Sequence, residues 1–238
     1  MRRSTIAVFL RKRVIRFLLI IGLIGFGLVA VTADYTVVPL LGGLVRTTRV
    51  ILDAGHGGID PGAHDRCGVL EKNITLDVVL RMGDYLALHG VPVEFTRESD
   101  RDVTGEEIPG KGRHRRDLEG RLKIINRGTV GVSVHVNSSG DSDEHGAVVF
   151  YPKDSEEGKR LAEAILQKVH KVQSLNHTYV VPRTNLYLLR ASNVPTVLVE
   201  MGFISNPEDK RKLQEPAFRQ QMAVAVSEGI LQYLEDKR

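Results

Sequence analysis

The chain has a single cysteine among its 238 residues. With Cys67 alone, no intrachain disulfide can form, and a zinc cage built from thiolates is excluded. Internal repeats are absent as well, which argues against a solenoid or a propeller. A length of 238 residues allows one large domain or two small ones with a sizeable core.

Acidic residues are missing from the first 16 positions, which hold six Lys and Arg. The remaining residues, 17–238, hold 27 of the 33 basic residues and all 29 acidic residues, so their net charge is −2. The formal charge of +4 for the whole chain therefore belongs to a short N-terminal tail. It is no evidence for nucleic-acid binding, and we expect no nucleic acid as a partner.

Charge is absent altogether from residues 17–33. A helix needs about 17–25 apolar residues to cross a bilayer core, so this run just qualifies. It predicts either a signal-anchor with the basic tail 1–16 in the cytoplasm or a secretory signal peptide ending at Val31-Thr32-Ala33. Its length favours the anchor. Both interpretations export everything after residue 34, where residues 34–47 read as a linker to a domain spanning 48–238.

Strand-like and helix-like patterns alternate within residues 48–238. The predicted strands are 49–53, 91–96, 131–136, 147–151 and 196–201. The predicted helices are 73–88, with Asn73 or Thr75 as its cap, 115–126, 156–172 and 217–235. Alternation of this kind predicts a single layered α/β domain with a mostly parallel, twisted sheet flanked by helices, preceded by one N-terminal membrane helix.

Four side chains stand where a predicted strand ends or a helix begins: His56, Glu71, His135 and Glu200. Ligand sites in such sheets lie beyond the carboxyl ends of the strands. Two histidines, one carboxylate and an open position form a catalytic zinc site, and a second glutamate can act as its base. Taken singly, each has another explanation, such as a turn, a helix-terminal charge, a core histidine or a salt bridge. The residues alone do not decide which glutamate would bind the metal.

The segments around these residues resemble the zinc-dependent N-acetylmuramoyl-L-alanine amidases of the type 3 amidase family over about residues 48–236. They are Leu-Asp-Ala-Gly-His-Gly-Gly at 52–58, Leu-Glu-Lys-Asn at 70–73, Thr96-Arg97, Arg121-Leu122 with Asn126, Ser-Val-His-Val-Asn at 133–137, and Pro-Thr-Val-Leu-Val-Glu-Met-Gly-Phe-Ile-Ser-Asn at 195–206. Ala54 and Ser138 depart from the usual family residues, but neither change removes a functional side chain.

The resemblance implies a cell-wall hydrolase that cuts the amide between the lactyl group of muramic acid and the L-alanine of the stem peptide. By the matching motifs, His56, Glu71 and His135 are the expected zinc ligands and Glu200 is the expected catalytic base. A base of this kind takes a proton from water and returns it to the leaving nitrogen. The expected partner is peptidoglycan, with the membrane contacted through the N-terminal helix.

Neighbours of the site are predicted with less support from the motifs. Asp53 or Asn137 is expected to orient the imidazoles, since metal-bound histidines are held by a second partner. Asn137 and Arg190 are predicted substrate contacts, although the segment 185–190 could instead be a buried edge strand. The short stretch 138–146 leaves no room for a helix that plugs the site.

Within the family, the chain looks most similar to the germination-specific amidases of spore formers. These strip stem peptides in the spore cortex, so that a second enzyme can form muramic-δ-lactam. Such a role adds an accessory wall or spore protein as an expected partner. Two alternatives stay open: a zinc peptidase such as a carboxypeptidase, and a membrane-anchored peptidoglycan-binding module without turnover.

Overall fold

The computed structural model describes residues 48–65, 67–103 and 112–237. The predicted basic tail, membrane helix and linker at 1–16, 17–33 and 34–47 lie outside the described residues. In those described ranges, no helix has both the length and the apolar character needed to cross a bilayer.

The described strands form one six-stranded sheet in the order β2-β1-β3-β6-β4-β5. The strands are β1 (Val50–Ala54), β2 (Val93–Phe95), β3 (Val130–Asn137), β4 (Val148–Pro152), β5 (Val181–Arg183) and β6 (Thr196–Phe203). All neighbouring pairs are parallel except β4 with β6, so the sheet is mixed. β4 follows β3 through a short loop without a helix, whereas a parallel return needs a longer crossover.

Helices cover both faces of the sheet. They are α1 (Glu71–Leu88), α2 (Arg113–Ile125), α3 (Glu156–Val169), α4 (Tyr187–Ala191), α5 (Pro207–Gln214) and α6 (Pro216–Glu235). The large apolar core lies between one sheet face and α1, α3 and α6. Side chains alternate across a strand, so Ile51 of β1 points the other way and packs with Ile125 of α2 and Leu188 of α4.

The four predicted helices and five predicted strands are present with shifted ends, but the predicted caps of α1 are wrong. The helix begins at Glu71, and Leu70 at its N-cap makes no side-chain capping bond. The backbone N–H of Glu71 instead donates to the carbonyl of Ala63 (2.9 Å), so a tertiary contact fixes this end. Thr75 donates its hydroxyl to Gly55 O (2.9 Å).

Three short elements were not predicted: β5, α4 and α5. The segment 185–190 is not the buried edge strand considered above, because α4 occupies Tyr187–Ala191. α5 starts directly after Asn206, whose side-chain oxygen accepts hydrogen bonds from the N–H groups of Glu208 and Asp209. Pro207 at its first position fits a helix start, since that N–H would be unpaired anyway.

Candidate metal centre

Three side chains from separate segments converge beside the carboxyl end of β1. Glu71 Oε1 lies 3.2 Å from His56 Nε2 and 3.0 Å from His135 Nδ1. One ligand atom from each of the three residues lies within 4.8 Å of the others. The two imidazole rings meet edge to face, with centroids 5.0 Å apart. The structure therefore brings together the three residues proposed from the sequence as metal ligands.

Glu71 is fixed by backbone donors on both carboxylate oxygens. Oε1 accepts from Val136 N (2.8 Å) and Oε2 accepts from Ala63 N (2.7 Å). Burial opposes ionisation, but hydrogen bonds from His135 and His56 hold the pKa of Glu71 well below its ordinary value. The carboxylate is therefore charged and aimed at both rings.

His56 occupies a backbone conformation that few residues with a side chain adopt, with φ of 61°. Its Nδ1 lies 2.9 Å from Asp60 Oδ2, which turns Nε2 toward Glu71. Burial would lower the pKa of His56, but hydrogen bonds to Glu71 and Asp60 raise it to about 9. Asp60 was not singled out from the sequence, although a carboxylate four residues after the histidine is within easy reach.

Asp53 does not orient an imidazole, contrary to the prediction, but belongs to a buried polar network beneath the site. It accepts hydrogen bonds from Thr96 (2.7 Å), Ser133 (2.5 Å) and Arg121 (2.7 Å). Asn137, the other predicted partner, accepts a hydrogen bond from the backbone N–H of Ser138 (2.8 Å).

Two buried arginines hold the backbone that carries His56. Arg121 donates to the carbonyls of Ala54 and His56, and Arg97 donates to those of Ala54 and Gly55. Both arginines belong to the family motifs named above, Thr96-Arg97 and Arg121-Leu122, which assign them no role. For Arg97 the signal in the sequence was a cation directly after the predicted strand 91–96, which requires acceptors if it is buried; Arg121 lies inside α2 and carries no such signal.

Glu200 lies beside His135, because the two residues are register partners between β3 and β6. The residue as a whole is half-buried, yet its Oε2 is inaccessible and has no hydrogen-bond partner among the described residues. Burial raises the pKa of Glu200 to about 7, with the Glu71 charge adding to the rise and the two histidines opposing it. Such a carboxyl group exchanges a proton near neutral pH.

The two predicted substrate residues lie at different places relative to this centre. Arg190 is exposed on α4, which leads into the amino end of β6, whereas Glu200 lies in the later half of that strand. Asn137 ends β3 just after His135, and its backbone carbonyl accepts a hydrogen bond from Ile204 N (2.8 Å). Of the two, only Asn137 is next to a candidate ligand.

The donor set fits a zinc ion. Catalytic zinc takes imidazole nitrogens and carboxylate oxygens at about 2.0–2.2 Å, and the edge of such a tetrahedron is roughly 3.3 Å. The separations of 3.0 and 3.2 Å found here are close to that edge. Gly55 and Gly62 leave the necessary room, since a Cβ on Gly55 would lie 2.4 Å from the His135 ring and one on Gly62 would lie 2.5 Å from Glu71 Oε2.

Comparison with known proteins identifies similar chains. The profile of the Amidase_3 family, described as N-acetylmuramoyl-L-alanine amidase, matches residues 50–232. The germination-specific N-acetylmuramoyl-L-alanine amidase of Bacillus subtilis is 35% identical over 192 residues, covering 79% of this chain and 80% of that protein. The N-acetylmuramoyl-L-alanine amidase AmiA of Escherichia coli is 30% identical over 220 residues, covering 77% of this chain and 75% of that protein.

Solved structures include chains of the same fold. The CwlD amidase from Clostridioides difficile, in complex with the GerS lipoprotein, superposes with a TM-score of 0.73 and 36% identity. The match covers 79% of this chain and 99% of that chain. The amidase AmiC2 of Nostoc punctiforme gives a TM-score of 0.68 at 32% identity, and the match covers 79% of this chain and 98% of that chain.

Proposed function

Because the chain belongs to the N-acetylmuramoyl-L-alanine amidase family, we propose that it uses one zinc ion to hydrolyse the amide between N-acetylmuramic acid and the L-alanine of peptidoglycan stem peptides. The observation that carries this proposal is the convergence of His56, Glu71 and His135 within 4.8 Å, with Glu200 beside them.

We assign His56, Glu71 and His135 as the zinc ligands. The charge of Glu71 supports this, because its carboxylate is ionised and held by two backbone N–H groups. When bound, a zinc ion supplies Lewis acidity, which brings the pKa of water from about 15.7 toward about 7 and polarises a carbonyl.

Glu200 is assigned as the catalytic base. It takes a proton from the attacking water while the water oxygen bonds to the lactyl carbonyl carbon. The C–N bond then breaks, and Glu200 returns the proton to the departing nitrogen of L-alanine. A pKa near 7 suits both directions of transfer.

Incubation of the full-length protein with purified peptidoglycan, with and without a chelator, tests the reaction. Mass spectrometry should find intact stem peptides and free lactyl carboxyl groups on muramic acid. Chelation should abolish both products, and added zinc should restore them. Shortened stem peptides would identify a zinc peptidase instead, and zinc-loaded protein that binds the wall without releasing fragments would identify a binding module.

We further propose where this activity operates. Residues 17–33 anchor the domain 48–238 outside the cytoplasmic membrane, in the cell wall or in the space between forespore and mother cell, where it prepares the cortex for muramic-δ-lactam. The name of the Bacillus subtilis relative supports the spore role, and the CwlD–GerS complex supports an accessory wall or spore protein as partner. Cortex from a strain lacking the gene should contain no muramic-δ-lactam; normal lactam content would contradict the proposal.

A further inference from the structure

Asp60 contacts the candidate ligand His56 at the ring nitrogen that faces away from Glu71. Its Oδ2 lies 2.9 Å from His56 Nδ1, while His56 Nε2 faces Glu71 Oε1 at 3.2 Å. The second carboxylate oxygen, Oδ1, accepts a hydrogen bond from Gly62 N (3.1 Å). Asp60 is therefore held at both oxygens and presents one of them to the outer nitrogen of the ring.

A tight turn fixes Asp60 in this place. Gly57 and Asp60 exchange two backbone hydrogen bonds of 3.0 and 3.1 Å. Gly58, inside the turn, donates its N–H to Asp100 (2.8 Å) and accepts from Lys72 Nζ of α1 (2.7 Å). Because the turn is tied to α1 and to the segment after β2, contacts within the protein fix the position of the carboxylate.

The contact decides which ring nitrogen carries the proton in a neutral imidazole. An ionised carboxylate only accepts hydrogen bonds, so His56 Nδ1 must carry the hydrogen that faces Asp60. Nε2 faces the ionised Glu71 and donates to it as long as that nitrogen also carries a hydrogen. Displacement of this hydrogen by a divalent ion would leave the lone pair on Nε2 and the remaining hydrogen on Nδ1, held by Asp60. In addition, the charges of Glu71 and Asp60 together match that of a divalent ion.

We propose that Asp60 is a positioning residue of the zinc site, which keeps His56 in the tautomer whose Nε2 can bind the metal. This inference rests on the zinc site of the proposed function. It gives Asp60 no contact with substrate or metal; it acts only through the ring of His56.

Two substitutions at this position separate tautomer control from a merely structural role. In Asp60→Asn, Gly62 N still requires an oxygen, so the amide NH₂ faces His56 Nδ1. A donor there favours the tautomer with hydrogen on Nε2, which removes the lone pair needed by zinc. In Asp60→Ala, water replaces the carboxylate, and both tautomers are accessible. If Asp60 has only a structural role, Asp60→Ala should lose more zinc affinity than Asp60→Asn. If Asp60 positions His56, Asp60→Asn should lose more.

The test is the zinc dissociation constant of full-length protein, measured by competition with a chelating dye at one pH. We expect Asp60→Asn to weaken zinc binding about 10–100-fold, as for other partners of zinc-bound histidines, and to weaken it more than Asp60→Ala does. The control is Asp65→Asn, because Asp65 lies in the same loop but binds Lys210 (3.0 Å); its zinc affinity should equal that of the wild type.

An alanine variant that loses as much zinc affinity as the asparagine variant, or an asparagine variant with wild-type affinity, would overturn the role of Asp60 and leave the zinc site intact. If the wild type bound no more zinc than His56→Ala does, the proposed function would be overturned and this inference with it. The melting temperatures of the zinc-free variants verify that the affinities are read on folded protein.

Discussion

Two glycines of one loop differ in what surrounds them, although both adopt left-handed backbone. Gly62 has φ of +67° and Gly68 has φ of +88°. A Cβ on Gly62 would lie 2.5 Å from Glu71 Oε2 and 2.6 Å from His56 Cδ2, whereas one on Gly68 would meet nothing within 4 Å. This pair separates backbone strain from crowding of the candidate ligands.

Alanine at each position should give different outcomes. Both Gly62→Ala and Gly68→Ala should lower the free energy of unfolding by about 1–2 kcal/mol, because a side chain is disfavoured in this conformation. Only Gly62→Ala should also weaken zinc binding, by more than about tenfold, since a shifted ligand geometry removes at least about 1.4 kcal/mol of binding energy. Urea unfolding and dye competition measure the two effects. Equal zinc affinities would contradict the ligand assignment of Glu71 and His56.

Removal of the Glu200 charge should separate turnover from metal binding. Glu200→Gln keeps the shape of the side chain but cannot accept a proton, so stem-peptide release should fall about 10²–10⁴-fold. Zinc content should stay at the wild-type value, and thermal stability should not decrease, because the buried Oε2 has no hydrogen-bond partner to lose in the part of the chain that the structure describes. His56→Ala should instead lose zinc. Equal zinc loss in both variants would contradict the two roles.

The helix α2 connects the site to the sheet through one buried cation. Arg121 bonds Asp53 of β1 and Asp117 of its own helix, and it also holds the carbonyl of His56. Arg115, two turns earlier, is exposed, pairs with Glu119 and stacks over Tyr187. The same helix thus offers a buried and an exposed arginine for comparison.

Replacement of each arginine by methionine should show how much the buried and the exposed cation contribute to the free energy of unfolding. Arg121→Met leaves Asp53 buried without its counter-charge, so the free energy of unfolding should fall by about 3–5 kcal/mol. Arg115→Met removes an exposed ion pair and the stacking on Tyr187, and should cost about 1–2 kcal/mol at most. Urea unfolding at neutral pH measures both. A similar small decrease in the free energy of unfolding in both variants would mean that the buried network of Asp53 and Arg121 does not support the fold.

Elements with long apolar patterns were predicted from the sequence, and of the short ones only β2 was, within the alternating run 91–96. β1, β3 and β6 are buried runs flanked by glycine or proline, and the four long helices have periodic apolar faces, so local patterns suffice. β5 has three residues and α4 has five, too few for a period to appear. The antiparallel direction of β4 depends on which strand it pairs with, and no local pattern records that.

At the site, too, local sequence patterns predict some residues and miss others. The motifs singled out His56, Glu71, His135 and Glu200, and the structure brings these side chains into one region. Each stands at or near an end of an element that the apolar pattern predicts. The roles of the supporting residues depend instead on contacts between distant segments. Arg121 reaches Asp53 across 68 positions, and nothing local to either residue indicates that pairing.

Asp53 connects several elements of the molecule at once. It lies on β1 and binds Ser133 of β3, Arg121 of α2 and Thr96 just beyond β2. Burial alone would raise the pKa of Asp53, but Arg121 and the two hydroxyl groups outweigh burial and lower it. A carboxyl group with a depressed folded-state pKa binds fewer protons in the folded than in the unfolded chain. Stability must therefore rise with pH in the range where the unfolded carboxyl titrates.

This linkage predicts the acid unfolding of the zinc-free protein. The contribution of Asp53 should be complete above the unfolded pKa of about 3.9 and should be lost as the pH falls through the lower folded value. Asp53→Asn should be about 3–5 kcal/mol less stable at pH 7, since Arg121 loses its buried partner, and its stability should fall less steeply below pH 4. As a control, Asp84→Asn, on the exposed side of α1, should be as stable as the wild type at pH 7, within about 0.5 kcal/mol. Urea midpoints across this pH range decide the matter: parallel curves for Asp53→Asn and the wild type would mean that another carboxylate controls acid unfolding.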